Sequence, residues 1–382
     1  MRKILSTLVS IFLILHLATS GTFGQTAIPR TTIITGTVTD ASTGEPLNGT
    51  NVFIDNSLMG AATDQDGKFT INKVPQGTFQ LVASFIGYKP VKKRVRLESD
   101  ITYTIDFQLT PVVLQLEEVV VRYERPKRPK DWEKDLEIFQ LGLLGSTKNA
   151  NKCTILNLEV LSFDRDDETD IFRAAAERIL KIENRALGYM VNVLLEEFEI
   201  NDETIKMDYT IKFEEITPKN DRETENWEKA REETYHGSLQ HFLASFAQGT
   251  YEKEGFAVDK YSREDGKRIK ETDFNYDALI SPGKNQFERI LQFDGFLGVR
   301  NLDAGMKYST TPSISTFYSK GFYQQEHYLV CKEESTIRLT RPLVPINIDG
   351  TLPAPYLILV SGFWGKARIA DKLPFEYSPA SK

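Results

Sequence analysis

The sequence predicts an α+β protein of two parts, a small antiparallel β-sandwich followed by a larger α+β domain with an antiparallel sheet. From Thr32 to Leu109, short segments rich in β-branched residues alternate with turns containing Gly, Asn or Asp, without a helical period. From residue 131 onward, helical and strand-like periods both occur. The 382 residues, 40% of them apolar, suffice for two or three packed units.

Residues 1–24 have the pattern of a secretory signal peptide. Arg2 and Lys3 precede the apolar run Ile4–Ala18, and small residues follow up to Gly24. The alternative is a membrane anchor, but a run of about 15 residues is shorter than the ~20 that a spanning helix needs. We therefore predict an exported protein with no transmembrane helix after signal removal.

The composition excludes several function classes. The net charge of −7 argues against nucleic-acid binding, which needs a basic face. Only four His and two Cys are present, and the sequence has no HExxH, GxSxG, GxxxxGK[ST] or GxGxxG pattern. We therefore assign no catalytic, cofactor-binding or metal-binding residue, and we predict no cofactor.

The predicted β-sandwich spans residues 32–112 and has about seven strands. Turn residues that tolerate positive φ separate the segments, as in Thr43–Pro46 and Asp64–Gly67. An alternation of apolar and polar residues is clearest from Tyr103 to Leu109. The predicted strands include Ile33–Asp40, Asn51–Asp55, Lys68–Val74, Thr78–Phe85, Lys89–Leu97 and Ile101–Leu109.

Six motifs in this region occur in the order found in the carboxypeptidase-regulatory-like domain, which the region resembles. They are Gly36–Asp40, Thr43–Leu47, Asn51–Ile54, Thr63–Phe69, Val74–Gly77 and Phe85–Tyr88. The resemblance implies a transthyretin-like or immunoglobulin-like sandwich. It also implies an exported protein of the Bacteroidetes type, in the periplasm or at the outer membrane. Such domains are accessory domains, and the resemblance supplies no hydrolytic residue.

The segment Leu114–Val121 is similar to the one that follows this domain in TonB-dependent transporters. Only 261 of the 382 residues follow Val121, which is too few for a plug and a 22-stranded barrel. We therefore interpret residues 113–130 as a basic, Pro-containing linker. Its charge could attract anionic lipid or polysaccharide, but a solvated connector is the simpler interpretation.

Residues 131–382 combine helical and strand-like segments in the predicted α+β domain. Ile205–Phe213 alternates as a half-buried strand and is expected to form a hairpin with Leu187–Ile200. Further strand-like runs are Ser315–Lys332 and Tyr356–Ile369. Helices are predicted at Asp131–Leu144, at Thr169–Lys181 and at Glu223–Ala247, the last with a break at Gly237.

The C-terminal region is similar to the corresponding part of exported Bacteroidetes proteins that have the same accessory domain and no assigned activity. The similarity lies in Phe139–Gly142, Leu144–Gly145, Cys153–Asn157, Asn184, Leu187–Tyr189, Arg231–Tyr235, Gly237–Ser238 and His241–Phe242.

Export would place Cys153 and Cys331 where disulfides persist. A bridge between them would stabilise the chain by roughly 5 kcal/mol in the chain-entropy model. Two separately buried thiols are the alternative, and mass analysis after alkylation with and without reduction distinguishes the two states.

Three functional hypotheses remain open. The first is a non-catalytic cell-envelope protein that acts as an interaction or adaptor module and whose partner is an envelope protein or a glycan. The second is an envelope hydrolase, a peptidase or glycosidase, with an unrecognised site in residues 131–382. The third is carbohydrate binding by the sandwich. Candidate acids for the hydrolase are Glu196, Glu197, Glu214 and Glu215, and candidate stacking residues for carbohydrate are Phe85, Tyr88 and Tyr103.

Overall fold

A computed structural model describes most of the chain after residue 30. The described residues are 31–98, 101–112, 131–166, 168–201, 204–264, 267–271, 275–302, 334–354 and 356–379. The predicted signal peptide, the predicted linker at 113–130, the predicted strand Ser315–Lys332 and Cys331 lie outside these residues. No helix among the described residues is long and apolar enough to cross a membrane.

The N-terminal unit contains eight strands, where about seven were predicted. The additional strands arise because Gly60–Ala62 also pairs and because the predicted last strand is divided at Ile105 and Asp106. The strands are β1 (Thr31–Asp40), β2 (Asn51–Ile54), β3 (Gly60–Ala62), β4 (Lys68–Pro75), β5 (Gly77–Ser84), β6 (Val91–Leu97), β7 (Thr102–Thr104) and β8 (Phe107–Leu109).

The eight strands form two four-stranded sheets that share one hydrophobic core. The first sheet has the order β4-β1-β7, with β8 also paired to β1, and the second has the order β3-β2-β5-β6. Apolar side chains from both sheets form a single buried cluster, which includes Ile34, Leu81 and Phe107. The alternation seen in the sequence directs these side chains inward.

The first sheet is mixed, which differs from the predicted antiparallel arrangement. β1 pairs antiparallel with β4 but parallel with β7 and with β8. Gly36 allows this close approach, because a Cβ there would overlap the carbonyl oxygen of Ile105. Only a long-range contact of this kind decides whether a terminal strand joins parallel or antiparallel.

The C-terminal region contains fourteen described strands and four described α-helices. The strands are β9 (Cys153–Ile155), β10 (Leu161–Asp166), β11 (Ile171–Ala176), β12 (Leu180–Asn184), β13 (Tyr189–Ile200), β14 (Ile205–Glu215), β15 (Phe256–Glu264), β16 (Lys267–Lys270), β17 (Ile280–Pro282), β18 (Glu288–Leu291), β19 (Phe296–Asn301), β20 (Ser335–Leu339), β21 (Val344–Asn347) and β22 (Ile358–Gly362). The helices are α1 (Trp132–Leu144), α2 (Asp221–Tyr235), α3 (Leu239–Gln248) and α4 (Phe363–Lys366).

A six-stranded sheet and α1 form the first core of this region. The predicted hairpin is confirmed, because β13 and β14 pair antiparallel along their length, and β11 and β12 pair with the other side of β13. The predicted first helix is also confirmed. Gly142 lies inside α1, where a Cβ would come within 2.6 Å of the Phe198 ring, so glycine permits close packing of helix on sheet.

The predicted helix at Thr169–Lys181 is wrong. This segment forms β11 and the start of β12, and β11 pairs with β10 along its whole length. Its apolar stripe fits a helix, but Phe172 and Ala174 also alternate correctly for a strand and are buried. Pairing with β10 and β13 overrides the helical preference of the three alanines.

A five-stranded sheet, a three-stranded sheet and α3 form the second core. The sheet orders are β16-β15-β19-β20-β22 and β17-β18-β21. The predicted break at Gly237 is confirmed: Gly237 has a φ of 79° and separates α2 from α3. The predicted strand Tyr356–Ile369 is correct only for β22, since α4 follows immediately.

The loop between β2 and β3 (Asp55–Leu58), here called the docking loop, joins the N-terminal unit to the C-terminal region. The N–H of Asn56 donates to the carbonyl of Ile211 (2.8 Å), and the N–H of Phe213 donates to the carbonyl of Ser57 (2.8 Å). The loop therefore lies along the free side of β14, whose other side pairs with β13. A sheet edge that would otherwise present open backbone groups is covered.

The last described residues complete this junction. The N–H of Phe375 donates to the carbonyl of Asn56 (2.9 Å), and the N–H of Leu58 donates to Oε1 of Glu376 (3.0 Å). The Phe375 ring also stacks on Phe79 of β5, with centroids 5.1 Å apart. The two units are thus in direct contact, in addition to being connected through residues 113–130.

Candidate binding cleft

The four candidate hydrolase acids do not form a common site. Glu197 is opposite Asp208 in the β13–β14 hairpin, whereas Glu214 and Glu215 are opposite Met190 and Tyr189. From the rise per residue of an antiparallel strand, Glu197 lies roughly 20 Å along the hairpin from Glu214 and Glu215.

Each of these acids instead has a local partner. Glu196 pairs with Lys92 of the N-terminal unit, and Glu197 pairs with Lys206. Glu214 accepts a hydrogen bond from Asn192 (3.1 Å), and Glu215 lies 3.5 Å from Arg231. Their side chains are between 37% and 63% exposed, as expected for ion pairs on a solvated face. The acid–base pair that a glycosidase needs is not formed by these residues.

His236 and His241 lie close together because the helical segment that contains them is broken at Gly237. On a straight helix, His236 and His241 would point in different directions, but after the break at Gly237 their ring centroids lie 5.2 Å apart. His241 Nδ1 accepts the N–H of Gly237 (3.2 Å), and its Nε2 faces Glu254 (3.2 Å). Both nitrogens of His241 are occupied by protein groups. No group of three metal-ligating side chains occurs in the part of the chain that the structure describes.

The stability of the protein is expected to fall on acidification because of His241. Burial, opposed by Glu254 and assisted by His236, lowers the pKa of His241 below 6.5, so the fold favours the neutral ring. The unfolded chain then binds more protons below pH 6.5, and stability declines as the pH falls through that range. In urea unfolding, the wild-type protein should lose stability relative to the His241→Gln variant as the pH falls from 7.5 to 5.5. Parallel curves for the two proteins would contradict the assignment.

The junction contains two partly buried carboxyl groups, those of Asp55 and Glu376. Asp55 Oδ1 accepts the N–H of Ile211 (2.8 Å), and burial raises the pKa of Asp55. Burial also raises the pKa of Glu376. Because desolvation penalises the charged forms, the native junction favours protonation of both groups, which opposes the acid effect of His241. The His241→Gln comparison isolates the histidine contribution.

Cys153 is partly buried in the first C-terminal core. Burial and the nearby Asp371 raise the pKa of its thiol to about 12, which makes it a poor nucleophile at neutral pH. Its Sγ lies 3.5 Å from the carbonyl oxygen of Asn149. Cys331 lies outside the described residues, so the disulfide between them stays a prediction.

The three aromatic residues considered for carbohydrate stacking pack against the N-terminal core. Phe85 and Tyr88 contact each other, with centroids 5.5 Å apart, and Tyr88 donates to Asp40 (2.7 Å). Tyr103 accepts the N–H of Glu98 with its hydroxyl group (2.9 Å). All three are part of the periphery of that core, where their packing explains them.

A cleft of about 1180 Å³ lies on the five-stranded sheet, at its β20–β22 side. Residues of β20 and β22 line it together with residues 278–279 and 292–296. The cleft is large enough for a short segment of another molecule. Its apolar lining includes Leu279, Phe293, Leu339, Leu359 and Val360.

Positive charge predominates in this cleft. Lys260, Arg338 and Arg341 line it, whereas Asp294 is the acidic residue of its lining. Among the described residues, neither arginine forms an ion pair, and both are exposed. Such a cleft contrasts with the net charge of −7 of the whole chain.

Lys260 is different from the two arginines because it is buried and already neutralised. Its Nζ lies 2.8 Å from both Glu271 and Asp294. Burial acts to lower its pKa, but the hydrogen bonds with Asp294 and Glu271 outweigh burial, and the pKa is raised. Lys260 is thus held by two carboxylates, whereas Arg338 and Arg341 have no acidic partner among the described residues.

The sequence contains a local signal for only one part of this cleft, the strand β20. Ile337 and Leu339 alternate with Thr336, Arg338 and Thr340, so the arginine falls on the outer face of β20. The pairing of Arg338 with Leu359 places it beside β22. That neighbour is distant in sequence, so the alternation alone could not identify a cleft.

The N-terminal unit contains the six motifs that resemble the carboxypeptidase-regulatory-like domain. Its six motifs lie on strands and turns of the two sheets: Gly36–Asp40 is in β1, and Asp64–Gly67 forms the turn before β4, in which the Asp64 side chain accepts the N–H of Lys68 (2.8 Å). Residues 34–121 match the family model of the CarboxypepD_reg-like domain. The predicted resemblance is therefore confirmed for this domain. The remainder of the chain lies outside the match, and no curated protein matches the sequence.

Solved structures resemble parts of the chain only weakly. The group B streptococcus pilus 2b backbone protein is 20% identical over 22% of this chain and 42% of its own, with a TM-score of 0.19. A type II cohesin–X-dockerin complex from Acetivibrio cellulolyticus gives 20% identity over 31% and 78%, with a TM-score of 0.19. A putative carbohydrate binding protein from Pseudomonas aeruginosa gives 16% over 22% and 89%, with a TM-score of 0.17. The match to the pilus protein spans less than half of that protein, and likeness at these TM-scores carries no argument about function.

Proposed function

We propose that this protein is a non-catalytic interaction module of the cell envelope and that the cleft beside β22 is its contact surface. The observation that carries the proposal is the cleft itself. It combines apolar walls with two arginines, Arg338 and Arg341, that have no ion pair among the described residues. Arginine and aromatic side chains are enriched at protein interfaces relative to the rest of the surface, and the cleft has both, in Arg338, Arg341 and Phe293.

The junction supports the same proposal by holding the two units together. Backbone hydrogen bonds from the docking loop to β14 and the stacking of Phe79 on Phe375 oppose independent motion of the CarboxypepD_reg-like domain. A partner bound at the cleft is then held in a defined orientation relative to that domain. This is the property that an adaptor requires.

Export is part of the proposal and rests on the pattern of residues 1–24. The mature chain should begin at Gln25 and be recovered with the periplasm or the outer membrane. N-terminal sequencing of the protein from fractionated cells tests this part. A chain that retains Met1 in the cytosolic fraction would overturn it.

Site-specific photocrosslinking tests the contact surface. In cells of the native organism, a photoreactive residue replaces Leu359, which lines the cleft and is 43% exposed. In the control it replaces Leu156, which follows β9 and is 51% exposed. We expect a discrete adduct from position 359 and none from position 156. The adduct should be lost when Arg338 and Arg341 are both replaced by alanine. Equal crosslinking from both positions, or an adduct that persists without the arginines, would contradict the proposal.

A further inference from the structure

We infer that the ligand of the cleft is an extended, acidic peptide segment of a partner protein, which adds a strand to β22. This inference rests on the proposed function and specifies its ligand. Three observations on the described residues carry it: β22 has no strand on its second edge, Arg338 and Arg341 have no acidic partner, and β22 has apolar side chains on both of its faces.

One edge of β22 has no neighbouring strand among the described residues. β22 is the last strand in the order β16-β15-β19-β20-β22, and within the described ranges it pairs only with β20. A strand at such a position presents backbone N–H and C=O groups on its free side. An extended peptide satisfies these groups by forming a ladder, which is a common mode of peptide recognition. Because Leu359, Val360 and Ser361 line the cleft, a peptide in the cleft lies along this edge.

The arginines determine the charge of the peptide. Arg338 pairs with Leu359 across β20 and β22, so an added strand would lie two strand spacings from Arg338, roughly 10 Å. An arginine and a glutamate side chain together span that distance. Arg341 follows β20 and lines the same cleft. Carboxylates of the peptide would form charge-assisted hydrogen bonds with both guanidinium groups.

The remaining side chains favour a peptide over a polysaccharide. Leu359 is on the exposed face of β22 and Val360 is on the other face, so the edge offers apolar contacts to alternate side chains of an added strand. A polysaccharide would use the arginines but not the backbone edge. The role of peptide N–H groups in binding therefore separates the two classes of ligand.

The test is a fluorescence anisotropy titration of the full chain with labelled ten-residue peptides. The probes alternate Glu with Thr, Lys with Thr, or Glu with Pro. We expect the Glu–Thr peptide to bind at least tenfold more tightly than the Lys–Thr peptide. The Glu–Pro peptide has the same charge but lacks half of the N–H donors, and we expect it to bind at least fivefold more weakly than the Glu–Thr peptide.

Two double variants locate the binding. Replacement of Arg338 and Arg341 by alanine should weaken binding of the Glu–Thr peptide at least tenfold. Replacement of Arg178 and Arg222, which are exposed elsewhere, removes the same charge and should change the affinity less than twofold. An equal loss in both variants would show nonspecific attraction and would overturn the inference.

Other ligands give different results. If polygalacturonate binds through Arg338 and Arg341 and the Glu–Pro peptide binds as well as the Glu–Thr peptide, the ligand is an acidic polysaccharide and the peptide inference is wrong. If no probe binds but position 359 crosslinks in cells in an arginine-dependent way, the interaction function stands and only the ligand class fails. Absence of both results overturns the proposed function as well.

Discussion

Replacing Phe139 with alanine is expected to lower the free energy of unfolding by about 3–5 kcal/mol. Phe139 is fully buried where α1 packs on the six-stranded sheet. Its ring lies 4.8 Å from that of Phe198 and 5.6 Å from that of Phe163, measured between centroids. Truncation removes these contacts and leaves a cavity. Because α1 is already packed closely on the sheet at Gly142, the surrounding residues have little freedom to move into that cavity.

Urea unfolding followed by circular dichroism measures this loss. The matched control is Leu156→Ala, since Leu156 is 51% exposed and should change the free energy of unfolding by less than about 0.5 kcal/mol. A loss below about 1 kcal/mol for the Phe139 variant would mean that α1 does not pack on the sheet as described.

Replacing Gly36 with alanine is expected to destabilise the N-terminal unit by about 3 kcal/mol. The added Cβ would overlap the carbonyl oxygen of Ile105 and lie 2.6 Å from its carbonyl carbon. The obstacle is backbone, so β1 must move away from the segment that links β7 and β8. The parallel pairing of β1 with both strands should loosen.

Thermal unfolding and amide hydrogen exchange together test this prediction. The melting temperature should fall, and protection should decrease in β1, β7 and β8 before other strands of the unit. Gly365→Ala is the control, because its added Cβ would meet no atom closer than 3.5 Å. Unchanged protection in β1 would contradict the parallel arrangement.

Local patterns were enough to predict most strands of the N-terminal unit and several elements of the C-terminal region. The alternation of Ile205–Phe213 correctly indicated a hairpin strand, and the glycine at position 237 correctly indicated a helix break. The local patterns failed where the apolar residues fit both a helical and a strand period, as at Phe172, Ala174 and Ala176. There the neighbouring strands β10 and β13 decide.

The candidate site could not be predicted from local patterns, because it also depends on long-range strand pairing. The acids chosen from the sequence are separated by the register of the β13–β14 hairpin, a long-range property. Arg338 and Leu359, which do come together, are joined only by the pairing of β20 with β22. His236 and His241 also meet only because the break at Gly237 redirects the chain.

The docking loop has a practical consequence for experiments on fragments. If the chain is divided between residues 112 and 131 and each half is produced alone, the contacts of Asn56 and Ser57 with β14 are lost, and Phe79 loses its aromatic neighbour. Both halves would then present adhesive backbone and ring surfaces that the intact molecule conceals. Partners captured with either half alone would report on those artificial surfaces, so baits should comprise the uncut mature polypeptide.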